Sequence, residues 1–323
     1  MTEFSRSLGI QHPVICGAMY PCSNPELVAA ASEAGGIGII QPLSLSYVHG
    51  YEFREGLKYI RSLTDKPLGV NFILETSSKR YVERTKQWVD IALEEGIKYF
   101  VTALGNPRWV VDIAKSSAVI IHHDVTERKW AEKALDAGVD GFICVNNRAG
   151  GHAGRLSAEK LYADVSILGK PLVCAGGISQ ANDYQAMLKL GYAGIQMGTR
   201  FIATKECTAH DDYKQAIIKA NEEDIVLTDK ISGVPVSIIK TPFIEQIGTK
   251  ANALSRWLLR TNRTKHWMRT YYTLQSIWKL KKAAMQGMNY RDYFQAGKSV
   301  ANIHEIITAK DIIENITSTE TLA

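Results

Sequence analysis

Two patterns in the 323-residue sequence predict an α/β fold, a closed (β/α)8 TIM barrel with an appended, mostly helical C-terminal subdomain. Short apolar runs alternate with segments whose apolar residues recur at helical spacing, and a glycine repeatedly separates a helix from the next strand. Eight such units are complete by residue 200. Strands this short and evenly spaced suit a closed barrel better than an open doubly wound sheet. The expected division is a barrel over residues 1–221 and a hairpin plus helices packed on it over 222–323.

The first strand is expected at Pro13 to Gly17. Asn24-Pro25-Glu26 then reads as a helix start, with a cap residue, proline in the first turn and an acid at the positive dipole end. Gly35-Gly36 ends that helix and Ile37 to Ile40 gives strand two. A helix over Phe53 to Leu63 precedes strand three, Leu68 to Ile73. The helical stripe Val82, Thr85, Val89, Ala92, Leu93 leads to strand four at Lys98 to Thr102. A helix from Asn106-Pro107 leads to strand five, Ala118 to His122. The stripe Trp130, Ala131, Ala134, Leu135 precedes strand six, Gly141 to Val145. Strand seven is Pro171 to Ala175, its helix Gln180 to Leu190, and strand eight Gly194 to Met197. Beyond Asp211 the rhythm breaks. A helix over Tyr213 to Asn221, a hairpin around Ser232-Gly233 and one or two helices over Ala251 to Met285 are expected.

At 46% hydrophobic and 22% charged, the composition is that of a soluble globular protein, and no run is long and apolar enough for a membrane span. The amino terminus lacks the apolar core of a secretory signal, so a cytoplasmic protein is expected. The five cysteines are scattered and lack metal or redox spacing, so free thiols and no metal site are expected. The net charge of +5 is local. Gln246 to Arg291 holds ten Lys/Arg and no acid, and the rest of the chain is net acidic.

A barrel places its chemistry at the carboxyl ends of the strands. Those positions here are Gly17-Ala18-Met19, Asn71, Thr102, His122-His123, the loop Asn146 to Gly154 around His152, Gly176-Gly177-Ile178-Ser179 and Gly198-Thr199-Arg200. Glycine turns after strands seven and eight can present backbone N–H groups to a phosphate. His152, flanked by Gly150-Gly151 and Gly154, combines a base that titrates near neutrality with room for a flat ligand. No Gly-x-Gly-x-x-Gly element follows the first strand and no Walker loop occurs, which disfavours a dinucleotide fold or a nucleoside triphosphatase.

The runs Pro13 to Met19, Lys66 to Asn71, Ala149 to Gly154, Ala175 to Ile178 and Gln196 to Phe201 resemble the nitronate monooxygenase family, formerly 2-nitropropane dioxygenases. They are shared with flavin-dependent enoyl-acyl-carrier-protein reductases. The resemblance implies an FMN-binding barrel. The flavin phosphate would lie on Gly176, Gly177, Gly198 and Thr199, with Ala175 at the strand end and Gly150 and Gly151 admitting the cofactor. Gly17, Ala18, Met19 and Asn71 would border the ring, and His123 stands about where some relatives have a lysine. His152 matches the family base that deprotonates the carbon next to a nitro group. The implied reaction is oxidation of alkyl nitronates by molecular oxygen to a carbonyl compound and nitrite.

The alternatives are a nicotinamide-dependent enoyl-thioester reductase and a non-catalytic phosphate-binding or interaction protein. Three positions depart from the family pattern. Gly17-Ala18 replaces Gly-Gly, and Val145 and Arg148 stand where acids are common. A cation at Arg148 would favour an anionic substrate or an anionic reduced ring. The basic aromatic segment from Lys250 to Lys282 is expected to pack Leu258, Leu259, Leu274, Ile277, Trp278 and Leu280 on the barrel and turn its charges to water. Nucleic acid is not expected as a partner, and a homo-oligomer is left open.

Overall fold

A computed structural model describes residues 2–76, 78–230, 235–250, 265–287 and 293–318. The barrel strands, all parallel, are β1 (Val14–Cys16), β2 (Ile37–Ile40), β3 (Leu68–Ile73), β4 (Tyr99–Ala103), β5 (Ile120–Val125), β6 (Gly141–Val145), β7 (Leu172–Ala175) and β8 (Gly194–Met197). They pair in sequence order, and β8 returns to β1 in the register Val14 to Ile195 and Cys16 to Met197, which closes the barrel. Side chains alternate across each strand. Ile15, Ile37, Ile39, Tyr99, Val101, Ile143, Val173 and Ala175 fill the interior. Their neighbours Cys16, Val70, Phe72, Phe100, Phe142, Cys144 and Cys174 pack outward under the helices. All five cysteines are free and buried.

A short helix missed in the sequence, α1 (Glu3–Leu8), closes the amino-terminal end of the barrel. Phe4 and Leu8 join the interior cluster, and Phe4 stacks on His122 with ring centroids 5.5 Å apart. The outer ring is α2 (Pro25–Glu33), α3 (Phe53–Leu63), α4 (Lys79–Glu94), α5 (Arg108–Ala114), α6 (Arg128–Asp136), α7 (Ala158–Val165) and α8 (Ala181–Leu190). After β8 come a single turn, α9 (Thr199–Ile202), then α10 (Asp211–Lys219), an antiparallel hairpin of β9 (Ile225–Thr228) and β10 (Val236–Ile239), α11 (Pro242–Ile247) and α12 (Lys265–Gln286). The predicted turn at Ser232-Gly233 and the expected contacts of Leu258 and Leu259 fall outside the described residues.

The last helix, α13 (Ala309–Thr317), packs between α2 and α8, in the outer-ring position that follows the eighth strand. Its Ile312, Ile313 and Ile316 are buried, each contributing roughly 1.5–3 kcal/mol of hydrophobic stabilisation. A capping box of Thr308 and Asp311 starts it. Residues on both sides of position 221 therefore build the barrel, and the hairpin and α10 to α12 lie in a long excursion between β8 and α13.

Two sequence expectations are corrected. Strand five begins at Ile120, not Ala118, and runs to Val125. His122 and His123 consequently lie within the strand, not beyond it. Trp278, expected to pack inward, is 44% exposed, with the Lys282 ammonium 4.5 Å from its ring centroid. Part of the basic face does not turn to water. Lys281 lies over Tyr47 and donates to its carbonyl at 2.7 Å. Among the described residues no helix is long and apolar enough to cross a membrane.

Candidate active site

Three loops meet at the carboxyl end of the barrel. After β7, Gly176 and Gly177 take φ of +116° and +80°, a region closed to most side chains. A Cβ on Gly176 would stand 2.5 Å from Asn146 Oδ1 and 2.6 Å from Ala149 N, so this turn lies directly on the loop after β6. The N–H groups of Gly176, Gly177, Ile178 and Gly198 donate to no acceptor among the described residues. Such unclaimed donors at the ends of adjacent strands are what an anionic ligand needs. Thr199 Oγ1 is already engaged, accepting from Gly297 N–H at 3.0 Å.

Asn146 ties the loops together. Its Nδ2 donates to Gly176 O at 2.9 Å and its Oδ1 accepts from Arg148 N–H at 2.8 Å, with the side chain buried. The His152 loop is also held from the excursion. Ser237 N–H on β10 donates to Gly151 O at 2.7 Å, and Lys298 N–H donates to Arg148 O at 2.9 Å. Gly150 faces Ala296-Gly297 so closely that a Cβ would stand 2.9 Å from Gly297 N. His152 is exposed on the surface of this loop, with neighbouring protein atoms partly desolvating its ring. That desolvation lowers its pKa below 6.5, so the imidazole is neutral at physiological pH.

At the barrel mouth, Gly17 lies against Gln196, whose side chain would stand 2.9 Å from a Cβ there. Met19 lies over Gly198, and Ala18 packs on the interior cluster beside them. Asn71 is buried, accepting from Gln41 Nε2 at 3.1 Å and donating to Val101 O at 3.2 Å. Gly17, Ala18, Met19, Asn71, Gly150, Gly151, Ala175, Gly176, Gly177, Gly198, Thr199 and His152 thus gather at one end of the barrel.

His123 does not join them. It projects from the outer face of β5 and bonds Thr102 Oγ1 through Nδ1 at 2.8 Å. Burial lowers its pKa to about 4. His122 points inward but deep, with Nδ1 3.1 Å from Tyr99 Oη. The inward residue at the carboxyl end of β5 is Asp124, which a strand ended at His122 leaves out.

The expectation for Arg148 changes as well. Its guanidinium makes a two-pronged ion pair with Glu222 at 2.8 and 2.6 Å, and Lys298 reaches the same carboxylate at 3.2 Å. The two cations hold the Glu222 carboxyl below its usual pKa. Arg148 is therefore a clamp between loop and excursion rather than an open cation. No cluster of described residues has the ligands to hold a metal ion.

The sequence profile of the nitronate monooxygenase family matches residues 2–319. The chain belongs to the nitronate monooxygenase family. As a member of this family it is an oxidoreductase. It is similar to a Rhodococcus jostii (3aS,4S,5R,7aS)-5-hydroxy-7a-methyl-1-oxo-octahydro-1H-indene-4-carboxyl-CoA dehydrogenase, at 25% identity over 98% of this chain and 94% of that one. It is also similar to a probable nitronate monooxygenase of Staphylococcus saprophyticus, at 28% identity over 76% and 80%. Among solved structures, FabK from Thermotoga maritima superposes with a TM-score of 0.79 and 29% identity, covering 98% of this chain and 94% of that one.

Proposed function

We propose that the chain is an FMN-dependent oxidoreductase that converts alkyl nitronates, with molecular oxygen, to a carbonyl compound and nitrite. The observation that carries this reading is a neutral His152 on an exposed loop beside glycine turns whose N–H groups lack acceptors among the described residues. Those turns fit a phosphate-bearing cofactor. Gly176, Gly177 and Gly198 would hold its phosphate through N–H groups, with the Thr199 hydroxyl already bound to Gly297. Gly17, Ala18, Met19 and Asn71 would border the flavin ring, and Gly150 and Gly151 leave space on the other side. The flavin, when bound, supplies acceptance of electrons from the substrate and their passage to oxygen.

The protein's own contribution is positional and acid–base. An unprotonated imidazole nitrogen of His152 accepts the C–H proton from the carbon next to the nitro group, generating the nitronate. The clamp of Ser237, Lys298 and the Arg148–Glu222 pair fixes where that nitrogen sits. The reading describes a cytoplasmic enzyme using a small-molecule substrate and oxygen, with no nucleic-acid partner. It treats residues 1–210 with Ala309–Thr317 as the barrel and the intervening segment, which holds α10 to α12 and the hairpin, as a cap.

His152→Asn tests the base. Loss of a positioned general base slows a reaction by about 10² to 10⁴-fold, so neutral nitroalkane should suffer that loss while pre-formed nitronate, which has no proton to lose, is spared. In the native protein the rate with nitroalkane should rise with pH through a midpoint below 6.5 and then level off, since neutral His152 is the active form. Equal losses on both substrates would assign His152 to binding.

A second reading, reduction or dehydrogenation of a thioester, has support in the Rhodococcus relative, named for a carboxyl-CoA substrate and matched over 98% of this chain. Anaerobic mixing with NADH or NADPH, followed by an enoyl thioester, separates the two. Rapid bleaching of the flavin by nicotinamide and its return on adding thioester would favour the second.

A further inference from the structure

Asp124 is a half-buried acid with one carboxyl oxygen sealed from solvent, and the proposed reaction has no use for it. It follows His122 by two positions on β5, so it shares the inward face that His122 shows by bonding Tyr99 and stacking on Phe4. Its register neighbour on β6 is Ile143, a member of the interior cluster. Asp124 stands two positions further along the strand than His122, toward the mouth where Gly17, Asn71 and Gln196 gather. Its Oδ1 is sealed from solvent and has no hydrogen-bond partner among the described residues.

An orphaned carboxyl oxygen aimed into the barrel beneath a cofactor site calls for a function, because an unpaired buried charge is costly. The titratable groups around it are Tyr99 on β4, Cys144 on β6, and His122 and His123 on its own strand. None is a cation at neutral pH, since burial lowers the histidines to about 3 and about 4 and raises the tyrosine and the thiol. With burial as its one cause, the Asp124 carboxyl is raised to about 7. A carboxyl in that position is poised to gain or lose a proton when the charge above it changes.

We infer that Asp124 faces the bound flavin from inside the barrel and takes up a proton when the flavin is reduced. The inference rests on the reading of the mouth as a flavin site. Reduction of a flavin held at the mouth, by two electrons from the nitronate substrate and one proton from solvent, would leave one negative charge on the ring. That charge would disfavour ionised Asp124, whose carboxylate oxygen would accept a second proton from solvent. Asp124 is thus a positioning residue for ring charge, distinct from His152, which acts on substrate carbon.

The test is the flavin's midpoint potential as a function of pH in the holoenzyme and in Asp124→Asn. Above the carboxyl's own pKa of about 7, the native protein should take up one more proton per two electrons than the variant. The ratio of reduced to oxidised flavin at fixed potential should then fall up to tenfold more per pH unit, a difference of about 30 mV in slope. Parallel slopes in two flavin-loaded proteins would overturn the inference.

Infrared spectra of the flavin-free native protein give an independent readout. A protonated carboxyl band should persist to neutral pH, vanish above it and be missing in Asp124→Asn, and its absence from the native protein would also overturn the inference. A native protein that shows the band but binds no flavin would sink the flavin reading and with it the coupling.

Discussion

Glu222→Gln isolates what one carboxylate does for the active loop. Arg148 and Lys298 both lean on it, yet the Arg148 and Glu222 side chains are 42% and 33% exposed, so the pair contributes no more than about 1 kcal/mol. The variant should melt within a few degrees of the native protein. Its freed guanidinium, next to Gly177, should attract small anions, so inhibition by nitrite should strengthen and weaken again with added salt. Unchanged nitrite inhibition would mean that Arg148 stays neutralised by another route. At this scale His152 was legible because glycines on both sides mark a loop that must pass close to something. Asn146 was not singled out, since an asparagine after a strand is an ordinary turn residue until its amide is seen spanning two loops. Asp124 was hidden by a strand boundary placed three residues early, and its neighbours His122 and His123 received the attention instead.

Among elements, the turn after β7 is the most constrained. Gly176→Ala should both strain the backbone at φ +116° and drive a Cβ into Asn146 and the Ala149 amide. A cost of about 1–3 kcal/mol and loss of flavin on gel filtration are expected. Gly169→Ala is the control. It also has positive φ, +67°, but nothing lies within 4 Å of the added methyl, so it should lose stability of roughly 1–2 kcal/mol and keep its flavin. Retention of flavin by both variants would move the phosphate away from this turn. The helix α13 makes a different demand. Ile313→Ala should cost about 2–5 kcal/mol, read by urea denaturation, because Ile313 is buried against the start of β2. A loss below 1 kcal/mol would show that α13 docks loosely. Most barrel elements could be read from periodicity and glycine punctuation, which are local. The place of α13 could not, because which gap in the ring a helix fills depends on contacts with α2 and α8, far away in sequence.

For the whole molecule, buried titratable groups set the response to pH. His122 and His123 have folded pKa values of about 3 and about 4 against 6.5 when unfolded. The unfolded chain therefore binds more protons below pH 6.5, and stability should fall as pH drops from there toward 4 and below. Asp124 runs the other way. Its folded value of about 7 lies above its ordinary 3.8, so the folded state binds the extra proton and its contribution declines as pH rises between those values. Two histidines against one carboxyl should leave a net loss on acidification, measurable as a falling urea midpoint, and His122→Gln should flatten it. A midpoint independent of pH across that range would mean that the histidines are not neutral in the folded state. The late return of α13 also bears on how the protein is made. All eight strands have been synthesised once Met197 is added, yet the helix that covers α2 and α8 is made roughly a hundred residues afterwards. At about 5–20 residues per second, those apolar faces stay uncovered for some 5–20 s of each round of translation, an interval in which a chaperone or a neighbouring nascent chain can reach them first.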